Sequence, residues 1–277
     1  MRVIVTRPAA QAAQWVAHLQ AQGIDAVALP LMGIAPVDDP GPVDAAWARL
    51  LRSQPVQPVQ LGPAAPGVPG VPVVPDLQLV VFVSPNAAAQ FFAHRPANAV
   101  WPATVWAGSP GPGTTHTLRD LGVPEARLIE PAADAVQFDS ESLWASLSRH
   151  DWHDAEVLIV RGEGGGRDWL AATLRGGGAQ VSHLAAYRRA APVFSGADRA
   201  MLGAARATPA EHVWLFSSSE AIDHLAQALP GAAWAEAQSV ATHPRIAQRA
   251  RRLGFSSVTE VRPALDAVVA CLQSWRP

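Results

Sequence analysis

Three strand-turn-helix patterns recur along this chain out of phase, in the order C, A, B, C, A, B, so each set needs a partner from a distant stretch. Pattern C is Val3-Ile4-Val5-Thr6-Arg7 with Trp15 and Gly23. It returns as Val157-Leu158-Ile159-Val160-Arg161 with Trp169 and Gly178, the arginines and the tryptophans at one common offset. Pattern A is Val80-Val81-Phe82-Val83-Ser84-Pro85-Asn86, answered by Val213-Trp214-Leu215-Phe216-Ser217-Ser218-Ser219. Pattern B runs from Gly111-Pro112-Gly113-Thr114 to Gly122 and again from His243-Pro244-Arg245-Ile246 to Gly254. If the middle A, B and C form one domain, the first C must pack with the last A and B. The chain then crosses twice between two similar domains, and a ligand is expected in the doubly tethered cleft.

Composition sets further bounds. With 277 residues, 49% of them hydrophobic, the chain can fill two cores of ordinary size. No stretch approaches the ~20 apolar residues of a membrane span, and Met1-Arg2-Val3 leads straight into a strand, so a cytoplasmic protein without a membrane partner is expected. Cys271 is the only cysteine, which excludes an intrachain disulfide and a thiolate metal cage, and it is expected inside the last helix. All 21 basic residues are arginine. A GC-rich genome suffices to explain that bias, yet it removes lysine Schiff-base chemistry and the phosphate lysine of a P-loop. A net charge of −2 without a basic stripe argues against a nucleic-acid partner.

Strands that read as short, continuous apolar runs, each followed by a turn and a helical pattern, predict parallel sheet buried on both faces and a doubly wound α/β fold. The first helix is expected from Ala9 to Gln22, stopping at Gly23, with Trp15 and its counterpart Trp169 in the cores. Residues 1–36 with 193–277 are expected as domain 1 and residues 40–187 as domain 2, joined by connectors at 36–43 and 187–194. Seven prolines between 53 and 76 preclude helix or inner strand there and read as a mobile surface insertion.

The chemistry gathers at strand ends. Ser84-Pro85-Asn86 and Ser217-Ser218 open helices after the two A strands, where free backbone N–H groups, the helix dipole and hydroxyls converge on an anion. Gly111 to Thr114 and His243 to Arg245 do the same after the B strands. Any one of these clusters is explained by helix capping; four of them at the carboxyl ends of parallel strands favour anion binding. The run Gly162-Glu163-Gly164-Gly165-Gly166-Arg167 suggests a dinucleotide fingerprint, but no acid closes the next strand to hold a ribose, which argues against a nucleotide-dependent oxidoreductase. His150-Asp151-Trp152-His153-Asp154 reads as a solvated turn rather than a metal site. Tyr187, the only tyrosine, is expected at a strand's carboxyl end beside a crossing, a position suited to donating to a substrate.

These residues resemble the uroporphyrinogen-III synthase family. The resemblance rests on Val5-Thr6-Arg7-Pro8, Phe82-Val83-Ser84-Pro85-Asn86-Ala87, Gly111-Pro112-Gly113-Thr114, Asp139-Ser140-Glu141, Val160-Arg161-Gly162, Tyr187-Arg188-Arg189, Phe216-Ser217-Ser218 and His243-Pro244-Arg245-Ile246-Ala247, and spans nearly the whole chain. It implies two flavodoxin-like domains with parallel sheets and a two-stranded connector, domain 1 being built from both termini, in a monomer without metal or cofactor. The implied substrate is hydroxymethylbilane, a linear tetrapyrrole with eight carboxylates, cyclised with loss of water and inversion of ring D through a spiro intermediate. Tyr187 is implied as catalytic, hydrogen-bonding or protonating the departing hydroxyl. Arg7, Ser84, Pro85, Asn86, Gly111, Thr114, Arg161, Gly162, Ser217, Ser218, His243 and Arg245 are implied as substrate-binding. For Arg7 and Arg161 structural ion pairing is an equal reading, and Arg245-Ile246 stands where many relatives carry threonines, so Arg245 substitutes by charge. The competing reading is a non-enzymatic, two-lobed cytoplasmic sensor of a small anion.

Overall fold

In the computed structural model, residues 1–52, 77–165 and 167–275 are described, so the proline-rich stretch from 53 to 76 lies outside the described residues. In chain order the elements are β1 (Arg2–Val5), α1 (Ala9–Ala21), β2 (Ala26–Ala28), β3 (Gly33–Ala35), α2 (Gly41–Arg52), β4 (Leu77–Phe82), α3 (Pro85–Ala93), β5 (Trp106–Gly108), α4 (Pro112–Asp120), β6 (Leu128–Ile129), α5 (Ser140–Leu147), β7 (Glu156–Gly162), α6 (Trp169–Gly176), β8 (Gln180–Ala190), α7 (Gly196–Ala207), β9 (His212–Phe216), α8 (Ser219–Ala228), β10 (Gln238–Ala241), α9 (Pro244–Leu253), β11 (Ser257–Glu260) and α10 (Leu265–Ser274). They form two compact units: Met1–Ala35 with Arg189–Pro277, called unit 1, and Pro36–Arg188, called unit 2.

Unit 1 is built on a sheet of order β2-β1-β9-β10-β11, every neighbouring pair parallel. In unit 2 the strands run β8-β7-β4-β5-β6, again all parallel. Taken motif by motif, the two orders are the same doubly wound 2-1-3-4-5 arrangement, which the chain enters at a different point in each case. The out-of-phase repeat thus has its explanation in the sheets.

Alternation along the strands divides each core into two layers. In unit 1, Ile4, Trp214 and Phe216 pack on one face with Ile222, Leu225 and Phe255. On the other face Val3, Val5, Val213 and Leu215 meet Leu19, Val268 and Leu272. In unit 2, Leu79, Val81, Val157 and Ile159 pack against Leu143, Leu170 and Leu174. Phe82 joins an aromatic layer in which Trp47 stacks on Phe91 at 4.9 Å and Phe92 on Trp101 at 5.8 Å. The central residues of these strands are apolar on both sides because both faces are covered, as continuous hydrophobic strands require.

Some residues depart from the reading of the sequence. Trp169 is 39% exposed instead of lying in the core. Arg7 is followed by α1 after one residue, but after Arg161 the chain first turns through Gly164 and Gly165, at φ +79° and +81°, and α6 begins only at Trp169. The left-handed turn displaces the helix start, so the same offset that puts Trp15 mid-helix puts Trp169 at a first turn. Cys271 is half-buried rather than enclosed. Gly41 to Val43, expected in a connector, open α2, with Val43 fully buried.

Candidate functional site

In open α/β sheets the gap beyond the strand ends is widest where the winding reverses. For unit 2 that point lies between β7 and β4, whose carboxyl ends carry Arg161-Gly162 and Ser84. Ser84 caps α3: its Oγ accepts from the Ala87 N–H at 3.2 Å, with Pro85 and Asn86 in the first turn. The same Oγ lies 3.4 Å from the Tyr187 hydroxyl. Tyr187 stands three residues inside β8 and is only 3% exposed, more enclosed than a strand end implies.

A β-bulge aims this ring. Arg161 pairs with Ala185, but Gly162 pairs with Tyr187, so Ala186 is the extra residue on β8. The slip moves Tyr187 opposite Gly162, and a Cβ at Gly162 would lie 2.9 Å from the ring's Cε2 and Cζ. The Glu163 N–H closes the arrangement by donating to the Tyr187 carbonyl at 2.8 Å. Nothing in residue order marks the bulge.

Arg161 is neutralised. Its Nη1 donates to Asp168 at 2.9 Å, and His183 Nε2 approaches the same carboxylate at 3.5 Å. Burial, and then the charge of Arg161, hold His183 below the usual histidine range against the pull of Asp168. The loop between β7 and α6 is thereby tied by charge at its base.

At the start of α4, Gly111 serves packing: an added Cβ would lie 2.7 Å from Phe138 Cβ. Thr114 is buried at 4% exposure. The polar network here belongs to its neighbour Thr115, whose hydroxyl lies 2.7 Å from Ser109 Oγ and donates to Glu130 at 2.6 Å. Sequence reasoning missed this group; its only signal was a polar residue just past β5 and another just past β6. Thr115→Val leaves Ser109 and Glu130 without that partner, and we expect a loss of about 1–2 kcal/mol by denaturant titration; an unchanged midpoint would exclude a structural role for the network.

In unit 1 the winding reverses between β1 and β9. Val5 pairs with Leu215, so Arg7 and Ser217 follow adjacent parallel strands at matching positions. Thr6 ties the strand ends together, its Oγ1 donating to the Leu215 carbonyl at 2.7 Å. Arg7 lies 3.9 Å over the Trp15 ring and donates from Nη1 to Gln11 at 3.1 Å. Its Nε is buried without an acceptor, and no carboxylate among the described residues pairs with it. Desolvation lowers the guanidinium from its usual value to about 10. The folded protein therefore binds this proton less tightly than the unfolded chain. The charge on Arg7 costs stability at every pH below about 10, and the cost fades only as pH rises through that value.

The Ser217 hydroxyl is also buried without a partner among the described residues. Ser218 caps α8 by accepting from the Glu220 N–H at 3.2 Å. His243 caps α9, its Nδ1 accepting from the Arg245 N–H at 3.1 Å, which fixes the ring with that nitrogen unprotonated. Arg245 is exposed in the first turn of the same helix. Within unit 2, Ser84, Gly162 and Tyr187 come together; within unit 1, Arg7 and Ser217 follow paired strands at matching positions.

Comparison with known proteins adds an independent line. The family model described as uroporphyrinogen-III synthase HemD matches residues 69–270. Among solved structures, a mutant uroporphyrinogen III synthase from the extremely thermophilic bacterium Thermus thermophilus is 14% identical, covers 99% of this chain and 97% of its own, and gives a TM-score of 0.52. Uroporphyrinogen-III synthetase from Helicobacter pylori is 12% identical, covers 100% of both chains, and gives a TM-score of 0.53. Identities this low speak for a common fold; the family match speaks for descent.

Proposed function

This chain belongs to the uroporphyrinogen-III synthase family, and we propose that it closes hydroxymethylbilane to uroporphyrinogen III, carboxylates of the bilane engaging strand-end donors. The terminal hydroxyl departs as water, leaving a cation on the methylene of ring A. The substituted carbon of ring D attacks that cation, the spiro intermediate fragments, and reclosure joins ring D the other way round. The proton taken up by the hydroxyl is balanced by the one lost when the macrocycle regains its aromatic pyrrole. No electrons are gained or lost, so the reaction needs no oxidant or reductant.

The observation that carries the catalytic part is the Tyr187 hydroxyl beside Ser84 Oγ at 3.4 Å, where the winding of unit 2 reverses. A phenol is a weak acid, and its service to a departing hydroxyl is mainly a hydrogen bond in a fixed place. Ser84 and the Gly162 surface restrict the ring to that place. A flexible bilane also closes by itself without inversion, so the protein's main task is to hold one folded shape of the chain. The positive ends of the α3 and α4 dipoles, with the hydroxyls of Ser84 and Thr114, suit the carboxylates of such a chain. Among the described residues no helix is long and apolar enough to cross a membrane, and a cytoplasmic monomer is the setting this reading implies.

Incubating the protein with freshly generated hydroxymethylbilane, followed by oxidation and chromatographic separation of isomers, tests the proposal. The type III isomer is expected in excess. Type I alone would overturn the synthase reading and leave a two-lobed anion sensor.

A further inference from the structure

The two units carry the same arginine at the same point of the same motif, but only one of them is neutralised. Arg161 pairs with Asp168 at 2.9 Å. The residue at the matching offset from Arg7 is Gln14, which has no charge, and no other carboxylate among the described residues takes its place. Of five guanidinium N–H donors, Gln11 accepts from one, and Nε is buried with no acceptor. Beside it in register, the Ser217 hydroxyl is buried with none either. Arg7 is part-buried with its Nε withdrawn from water, the Ser217 hydroxyl is withdrawn as well, and the two groups, at the ends of adjacent parallel strands, suit one anion. Trp15 lies under the guanidinium at 3.9 Å and fixes the plane of the fork in advance.

We infer that Arg7 and Ser217 form a charged anchor in unit 1 that fixes one carboxylate of the substrate, a role that Arg161 in unit 2, already paired with Asp168, does not share. The inference rests on the proposed reaction for the identity of the anion. It assigns unequal work to two copies of one motif: charge recognition to Arg7, and loop bracing to Arg161. The planar fork suits a carboxylate held by two parallel hydrogen bonds. An unmatched charge kept folded at a cost in stability is the pattern of a binding group rather than a packing group. The lowered affinity of Arg7 for its own proton agrees, since a bound carboxylate would restore it.

Arg7→Met and Arg161→Met separate the two roles. Methionine keeps an apolar stem over Trp15 and removes the charge. For Arg7→Met we expect Tm to rise by about 2–4 °C, KM for hydroxymethylbilane to rise about 10- to 100-fold, and kcat to fall less than about threefold. We also expect the KM of the unaltered protein to climb with ionic strength and that of Arg7→Met to respond less. Arg161→Met strands Asp168 and is expected to lower Tm. A lower Tm for Arg7→Met, or failure to fold, would make Arg7 a stacking partner of Trp15 and overturn the anchor. An unchanged KM would do the same while leaving the synthase reading intact. If the unaltered protein yields only the type I isomer, the synthase reading falls by itself.

Discussion

Tyr187→Phe is expected to lower kcat by about 10²-fold and to leave Tm within about 2 °C of the unaltered protein. The two halves of that expectation come from different parts of the same side chain. The ring is enclosed, lies against the Gly162 backbone, and survives the substitution. Among the described residues the hydroxyl has one hydrogen-bonding neighbour in reach, Ser84 Oγ at 3.4 Å, too long for a strong bond, so its loss removes little folding free energy. In the proposed reaction the same hydroxyl serves the departing group, and nothing else on Gly162 or Ala186 can replace it. Single-turnover isomer assays on the purified variant, with its melting curve beside them, check both halves. Full turnover with type III product would remove the phenol from the mechanism, and a large fall in Tm would make it a structural residue.

The path from residues to fold was legible where the physics is periodic. Continuous apolar runs predicted buried parallel strands, and the shifted repeat forced the first C pattern to join the last A and B; β1 indeed lies between β2 and β9. Spacing alone stopped short at turns. Trp15 and Trp169 share an offset, but the glycine turn after Arg161 delays α6, and only the backbone angles of Gly164 and Gly165 reveal it. For the site, the residue types that meet anions at helix starts were readable, whereas which of them were already occupied was not. Arg7 and Arg161 look alike in sequence, and what separates them is Asp168, a contact seven residues along a loop. Gly111 reads as a place for a ligand to approach, yet Phe138 fills the space. The register slip that brings Tyr187 opposite Gly162 leaves no trace in composition or period.

That slip makes Gly162→Ala the sharpest test of how the phenol is held. Gly162 has no left-handed backbone to lose, so alanine is locally permitted, and the effect is steric. A methyl there meets the Tyr187 hydroxyl at 3.2 Å and Cε2 and Cζ at 2.9 Å, the latter closer than real contacts allow. The ring cannot yield freely, because Tyr187 is buried in β8, so either the strand pair opens or the ring turns away from Ser84. Overpacking of this kind costs about 1–3 kcal/mol, and Tm is expected to fall by roughly 2–8 °C. Turnover is expected to fall about 10²-fold as well, since positioning is the phenol's main contribution. Combining the two changes distinguishes displacement from general damage. If Gly162→Ala acts through the hydroxyl, the double variant with Tyr187→Phe is barely slower than Tyr187→Phe alone, because the group being displaced is already gone. Multiplying effects in the double variant would mean that Gly162 supports activity by another route, and an unaltered kcat in Gly162→Ala would mean that the phenol's position does not matter.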